Sequence, residues 1–208
     1  PNSDARQSQI YFYIPMGDYN REENVRREAF NQYISGGFSG LIMNEIREKN
    51  SMAYTAYGFA SSRGLPGAQT YFSGYIGTQN DKAVDAIDLY MKLLTDMPER
   101  PGRIDNIKSY LRQSALTDHP DSRNLSLRIA EWKRRGYTDD PAKEELPLID
   151  SLTFPDIVDY YQNNIKGKPI IIGVLGNPKD ISIDALKKFG KVIRLNEKKL
   201  FNEKDTMF

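Results

Sequence analysis

Two side chains in this sequence have the types and spacing to hold a polar substrate. Arg47 and Tyr54 stand seven residues apart within Gly36–Tyr54, GGFSGLIMNEIREKNSMAY. A guanidinium offers a fixed fork of N–H donors and a phenol offers one O–H. Both suit a carbonyl or carboxylate oxygen. The surrounding stretch positions them. A glycine pair, Gly36 and Gly37, leads into an amphipathic helix that ends in Arg47-Glu48-Lys49. A short turn then delivers Ala53-Tyr54 into an aromatic, β-prone segment. A helix end and a strand start therefore bring a cation and a hydroxyl near one another at one end of a sheet. Each residue also has a purely structural explanation. The helix dipole favours an arginine in the last turn, and tyrosine has high β propensity. Residue types alone favour that explanation.

Other chemistries find little support. The chain has one histidine, His119, and no cysteine, so it cannot assemble the imidazole or thiolate set of a zinc centre. His119 reads as an exposed residue of a loop, DHPDS. Gly37-Phe38-Ser39-Gly40 approaches a nucleophile elbow, but Leu41 stands where G-x-S-x-G needs its last glycine. Ser39 is better read as a helix cap after a glycine turn. Neither the P-loop nor the dinucleotide-binding glycine pattern occurs here. The adjacent pairs Glu22-Glu23 and Glu144-Glu145 read as solvated charge.

The elements that must carry these residues follow from periodicity. Ser8–Pro15, Tyr54–Ser62 and Gln69–Gly77 are aromatic and β-branched and read as strands, the last two as a hairpin around a Gly-Pro-Gly loop. Helical spacing marks Arg21–Ile34, which Gly36 and Gly37 stop. It also marks Ser39–Glu48 and the segments around Ala83–Leu94, Ile104–Ala115 and Leu125–Trp132. Tyr137–Leu146, polar and proline-containing, reads as a loop. Thr153-Phe154-Pro155-Asp156 reads as a capped helix start. Pro169–Leu175 (PIIIGVL) reads as a central strand buried on both faces. A short helix over Ile183–Phe189 and a closing strand over Gly190–Leu195 follow, and the charged tail is expected to fray. Strands at both ends and helices in the middle predict an α+β fold, a mostly antiparallel sheet with helices packed on one face. Alternate residues of the aromatic strands must point to opposite faces. One set packs on helices, and the other offers apolar area together with hydroxyl groups.

Bulk properties narrow the class. The 208 residues carry 29 basic and 28 acidic side chains, net +1, without the basic excess of a dedicated nucleic-acid domain. No apolar run approaches the roughly 18–20 residues of a membrane span. The absence of cysteine rules out disulfides and leaves the compartment open. The first residues, PNSDARQ, show no signal-peptide pattern. The chain begins without methionine and almost at once enters a strand, so a fragment of a longer polypeptide is expected.

The stretch Gly36–Tyr54 resembles the signature of the non-catalytic half of the M16 (pitrilysin/insulinase-type) zinc peptidases. That signature combines a Gly-Gly-Phe-Ser-type turn, a helix ending in Arg-Glu-Lys, and a tyrosine seven residues after the arginine. The order of elements is similar from about Gln9 to about Leu195. Ser51 and Met52 stand where the family often has Gly-Leu, and Gly40 where it often has a bulkier residue. Serine tolerates positive φ less well than glycine.

The resemblance implies one M16 C-terminal-type, LuxS-like half-domain over 1–208, with a polar tail from about 197. It implies that Arg47 and Tyr54 bind substrate backbone, with Gly36, Gly37 and Phe38 shaping the adjoining turn or chamber wall. It implies no catalytic residue and no metal in this chain, and no independent activity. Zinc belongs to a partner catalytic half, fused or separate, whose His-x-x-Glu-His motif this chain lacks. The implied partners are that half and a peptide substrate. An envelope location for a bacterial parent rests on analogy alone. The alternative is a catalytically inactive assembly subunit of the same fold. An unrelated α+β ligand module would require the match over Gly36–Tyr54 to be chance.

Overall fold

The alternation in the aromatic segments builds the sheet. The computed structural model describes residues 6–118 and 120–195. In β1 (Gln7–Asp18), Ser8, Ile10, Phe12, Ile14 and Met16 are buried, while the residues between them face outward. β2 (Thr55–Ser61) and β3 (Gln69–Gln79) repeat the pattern. With β4 (Ile171–Leu175) they form one antiparallel sheet of order β2-β3-β1-β4. The hairpin and the α+β class are as predicted.

The inward face packs on α1 (Asn24–Ser35) and α2 (Ala83–Thr95), with α6 (Phe154–Asn164) against α1 and α3 (Ile104–Thr117) and α5 (Pro141–Ser151) behind. α4 (Leu125–Arg134) buries no residue, and α7 (Ile183–Leu186) is a single turn. Tyr90 of α2 is the keystone beneath the sheet. Its ring stacks on Phe12 at 4.1 Å, and its hydroxyl donates to the Tyr57 carbonyl at 2.9 Å. Gly58 and Gly74, directly opposite in the hairpin register, make room for it, since a Cβ on either would meet the Tyr90 hydroxyl. Burial without a charged partner pushes the Tyr90 phenol well above its ordinary pKa.

The two sheet edges differ. On β2, Asn31 of α1 receives the Ala60 N–H at 2.8 Å and donates to the Ala60 carbonyl at 3.1 Å, while Ser35 receives the Gly58 N–H at 2.8 Å. A helix thus satisfies that edge, one known device against edge pairing. β4 is the opposite edge.

Several expectations are corrected. Pro169–Leu175 is not a central strand buried on both faces. Among the described residues its strand pairs only with β1, and Ile171 and Leu175 are 64% and 59% exposed. A short apolar run does not reveal whether both faces are covered, and here Ile170, Ile172 and Val174 meet the core while Ile171 and Leu175 do not. No strand forms over 191–195, where Val192, Ile193 and Leu195 are exposed. The loop read over Tyr137–Leu146 contains the start of α5. Asp140 accepts the Ala142 N–H at 2.9 Å, and Pro141 stands in the first turn, where a missing N–H does no harm. Ser39 does not cap a helix; its hydroxyl donates to the Gly36 carbonyl at 3.1 Å. The capped start of α6 is as read: both the N–H and the hydroxyl of Thr153 donate to Asp156, at 2.9 and 2.6 Å. His119 and the tail from 196 lie outside the described residues.

Candidate functional site

The segment between α1 and β2 is built around close backbone contacts. α1 ends at Ser35, where the Gly36 N–H closes on the Gln32 carbonyl at 2.9 Å, and Gly37 turns the chain with φ +57°. A 3-10 turn over Gly37–Ser39 follows; the Phe38 side chain lies outside the described residues. At Gly40 the returning backbone passes so near Ser35 that a Cβ would stand 2.7 Å from its Cα. No bulkier residue fits at that position here.

The predicted helix over Ser39–Glu48 is a π-helix over Met43–Glu48, preceded by one helical step at Leu41 and Ile42. Leu41, Ile42 and Ile46 anchor it in the core. Glu45 is clasped from two sides, by Arg100 and by Lys49 at 2.9 Å, and the Asn50 amide donates to its carbonyl at 2.6 Å. These contacts hold the wider turn characteristic of π-helices. Ser51 then adopts φ +50°, and its N–H donates to the Arg47 carbonyl at 2.9 Å. The serine that stands in place of glycine is thus in the left-handed region.

Arg47 lies in the last turn with its side chain 44% exposed, and its contact is Glu48 at 3.7 Å. Tyr54 immediately precedes β2. Its N–H donates to the Gly77 carbonyl at 2.9 Å, and the residue is 55% exposed. The Gln79 amide donates to its hydroxyl at 3.0 Å. With that lone pair occupied, the phenolic proton is left for donation to another acceptor. Among the described residues, no hydrogen bond or ring contact joins Arg47 to Tyr54. Gln79 was not legible as a partner, because only the hairpin register brings it beside Tyr54.

From Tyr54 the outward face of the sheet extends as ordered rows. Gly173, Tyr11, Tyr75 and Tyr57 stand side by side across all four strands, and Ile171, Tyr13, Ser73 and Phe59 form the next row. Tyr75 lies 5.2 Å from both Tyr11 and Tyr57, Tyr57 stacks on Phe59 at 5.4 Å, and Tyr13 stacks on Tyr71 at 5.5 Å. Partial burial, then the neighbouring Tyr11 and Tyr57 phenols, raise the Tyr75 pKa. Tyr11 is 48% exposed, and no helix covers these rings among the described residues. An open groove of about 550 Å³ between α2 and Lys188-Phe189 includes none of these residues.

A zinc site does not fit this chain. It has one histidine and no cysteine, and among the described residues no three His, Cys, Asp or Glu side chains converge.

Residues 1–102 match the sequence model of the peptidase M16 inactive domain. Over that stretch the chain is similar to the M16 inactive domain. Known folds agree beyond the matched half. A peptidase M16 inactive domain from Pseudomonas fluorescens superposes with a TM-score of 0.65 at 15% identity, over 82% of this chain and 40% of that one. The inactive peptidase domain of a protein from Bordetella parapertussis, provisionally classed as a zinc protease, gives 0.66 at 10% identity, over 82% and 93%. A chain of complex III from Candida albicans gives 0.63 at 14%, over 85% and 44%. Identities this low establish the fold alone. The chain spans less than half the length of the Pseudomonas and Candida chains it matches. No curated protein matches it in sequence. No helix among the described residues is long and apolar enough to cross a membrane.

Proposed function

We propose that this domain is the peptide-holding, chamber-closing half of an M16-type zinc peptidase, one unit over 1–208 that works with a zinc-carrying half elsewhere. The observation that carries the reading is the uncovered aromatic face of the sheet, with Tyr54 at its end. A sheet face left bare of helices and lined with phenols offers apolar area together with hydrogen-bonding tips. Arg47 and Tyr54 would donate to substrate backbone carbonyls near the scissile bond. The partner half's zinc would supply the activated water.

Donors preorganised in a water-poor chamber stabilise developing oxyanion charge better than bulk water, and loss of one costs on the order of 3 kcal/mol. That magnitude is an upper guide for a residue that positions substrate. The test is cleavage of an unstructured quenched-fluorescent peptide by the assembled protease, wild type beside Tyr54→Phe. A loss in kcat/KM of roughly tenfold or more, with fold and zinc content unchanged, is expected. Equal activity would remove Tyr54 from the peptide site.

A second reading, an inactive assembly subunit, draws support from the similarity to a chain of complex III. Its sign would be the absence of peptide cleavage with every native partner.

A further inference from the structure

We infer that the open sheet face selects uncharged, aromatic and aliphatic stretches of extended polypeptide and disfavours charged ones. This names the substrate class of the site proposed above and rests on that peptide-holding reading. Over 27% of the chain's residues are charged. Yet along Gln7–Pro15, Thr55–Ser61, Tyr71–Gln79 and Ile171–Leu175, none of the outward positions is Asp, Glu, Lys or Arg. The first charge on the strands is Asp18, beyond the register shift that follows Pro15.

A peptide carboxylate or ammonium brought onto these strand rows, away from Arg47 at the turn, would shed water without meeting a counter-charge on the strands. Ring faces can attract cations, but here they are largely turned on one another. Tyr57 stacks on both Phe59 and Tyr75, and Tyr13 on Tyr71. What remains available is apolar ring surface, the exposed Ile171 and Leu175 side chains, and neutral hydroxyl and amide groups such as Tyr11 and Gln9, already paired at 3.1 Å. Neutral groups of this kind can meet peptide N–H and C=O along any sequence. Selection therefore falls on side-chain charge and apolarity rather than on a particular residue.

The test uses the 208-residue chain and three labelled peptides of about ten residues, long enough when extended to cross the face. They are identical except that half the positions are Tyr, Leu, Gln or Ser in one, Glu in the second and Lys in the third. In fluorescence anisotropy the uncharged peptide is expected to bind roughly tenfold more tightly than either charged one. Tyr57→Lys places a cation in the middle of the aromatic row. It should weaken the uncharged peptide and make the Glu peptide bind more tightly than the Lys peptide at low salt. Phe59→Lys, in the adjacent row, should act alike and guards against a folding defect in the first variant.

Equal binding of all three peptides would overturn the selectivity while leaving peptide holding intact. No binding of any would overturn both. Unchanged binding in both variants would place the peptide elsewhere and end the inference. A concentration-dependent dimer abolished by Tyr57→Lys would show that a second copy occupies the face, with the same consequence.

Discussion

Replacing Ser51 by glycine is expected to stabilise the domain. Ser51 has φ +50°, the only positive value at a non-glycine position among the described residues. A left-handed backbone costs an L-residue roughly 1–2 kcal/mol, because its Cβ crowds the following carbonyl. Glycine escapes that crowding but loses more conformational freedom on folding, about 0.5–1 kcal/mol. No hydrogen bond of the exposed Ser51 hydroxyl offsets the difference; the residue's bonds run through its backbone, from its N–H to the Arg47 carbonyl and from Lys82 to its own carbonyl. The balance is a gain of about 0.5–1 kcal/mol, equivalent to a rise in Tm of about 1–4 °C for a chain of this size. Urea unfolding of wild type, Ser51→Gly and Ser51→Ala measures it directly. The midpoint should rise for glycine with an unchanged slope, and alanine, which keeps the Cβ, should show no such gain. A glycine variant no more stable than wild type would refute the assignment of strain to this turn.

Gly40→Ala should destabilise by about 1–3 kcal/mol, because the added methyl overlaps the Ser35 backbone and neither segment has slack; thermal melts against Gly102→Ala, where nothing lies near, supply the control. Tyr90→Phe should cost about 0.5–1.5 kcal/mol in chemical denaturation, since it removes the hydroxyl's hydrogen bond to the Tyr57 carbonyl while leaving the stack on Phe12 intact. Acid should weaken the start of α6. Burial opposes ionisation of Asp156, but the Thr153 bonds and Arg26 at 3.1 Å outweigh it and hold the carboxyl below its ordinary pKa. Its contribution is therefore full above the unfolded-state pKa and disappears as pH falls through the lowered folded value. Asp156→Asn should flatten that part of the stability–pH curve by about 1 kcal/mol.

Sequence periodicity made the faces of the sheet legible, because the side-chain period of two separates Tyr11 and Tyr13 from Ile10 and Phe12 whatever the fold. It did not make the rows legible. That Tyr75 stands between Tyr11 and Tyr57 depends on hairpin register, and the register depends on the Gly58–Gly74 gap that Tyr90 fills. Nor could composition distinguish an edge strand from a central one. IIGVL has the apolarity of a buried strand, yet Ile171 faces outward in the row of Tyr13 and Phe59, and Leu175 faces outward beside Gln9. Pro141, the first of the two prolines of α5, misled for a different reason. Proline is disfavoured inside a helix, although Pro147 occupies such a place here, but it suits the first turn, and the Asp140 cap marks Pro141 as a first-turn residue.

The Gly36–Tyr54 segment shows why a motif can be legible while its geometry is not. The motif supplied the residues, including the serine that sits where a left-handed turn is needed. Its spacing places Arg47 and Tyr54 near one another at one end of the sheet. In the structure each is held by its own anchor: Arg47 by a π-helix whose Glu45 is clasped by Arg100 and Lys49, Tyr54 by β3 through Gly77 and Gln79. The Arg47–Glu48 contact at 3.7 Å is an exposed pair of the kind worth about 0–1 kcal/mol. Arg47 can therefore leave Glu48 for a substrate carbonyl at little cost. Tyr54, already aligned by Gln79, needs no such rearrangement. A ligand that engages both must consequently supply the coupling itself, by bridging from the turn to the end of the open face. An extended peptide can do so because its carbonyls recur along its length.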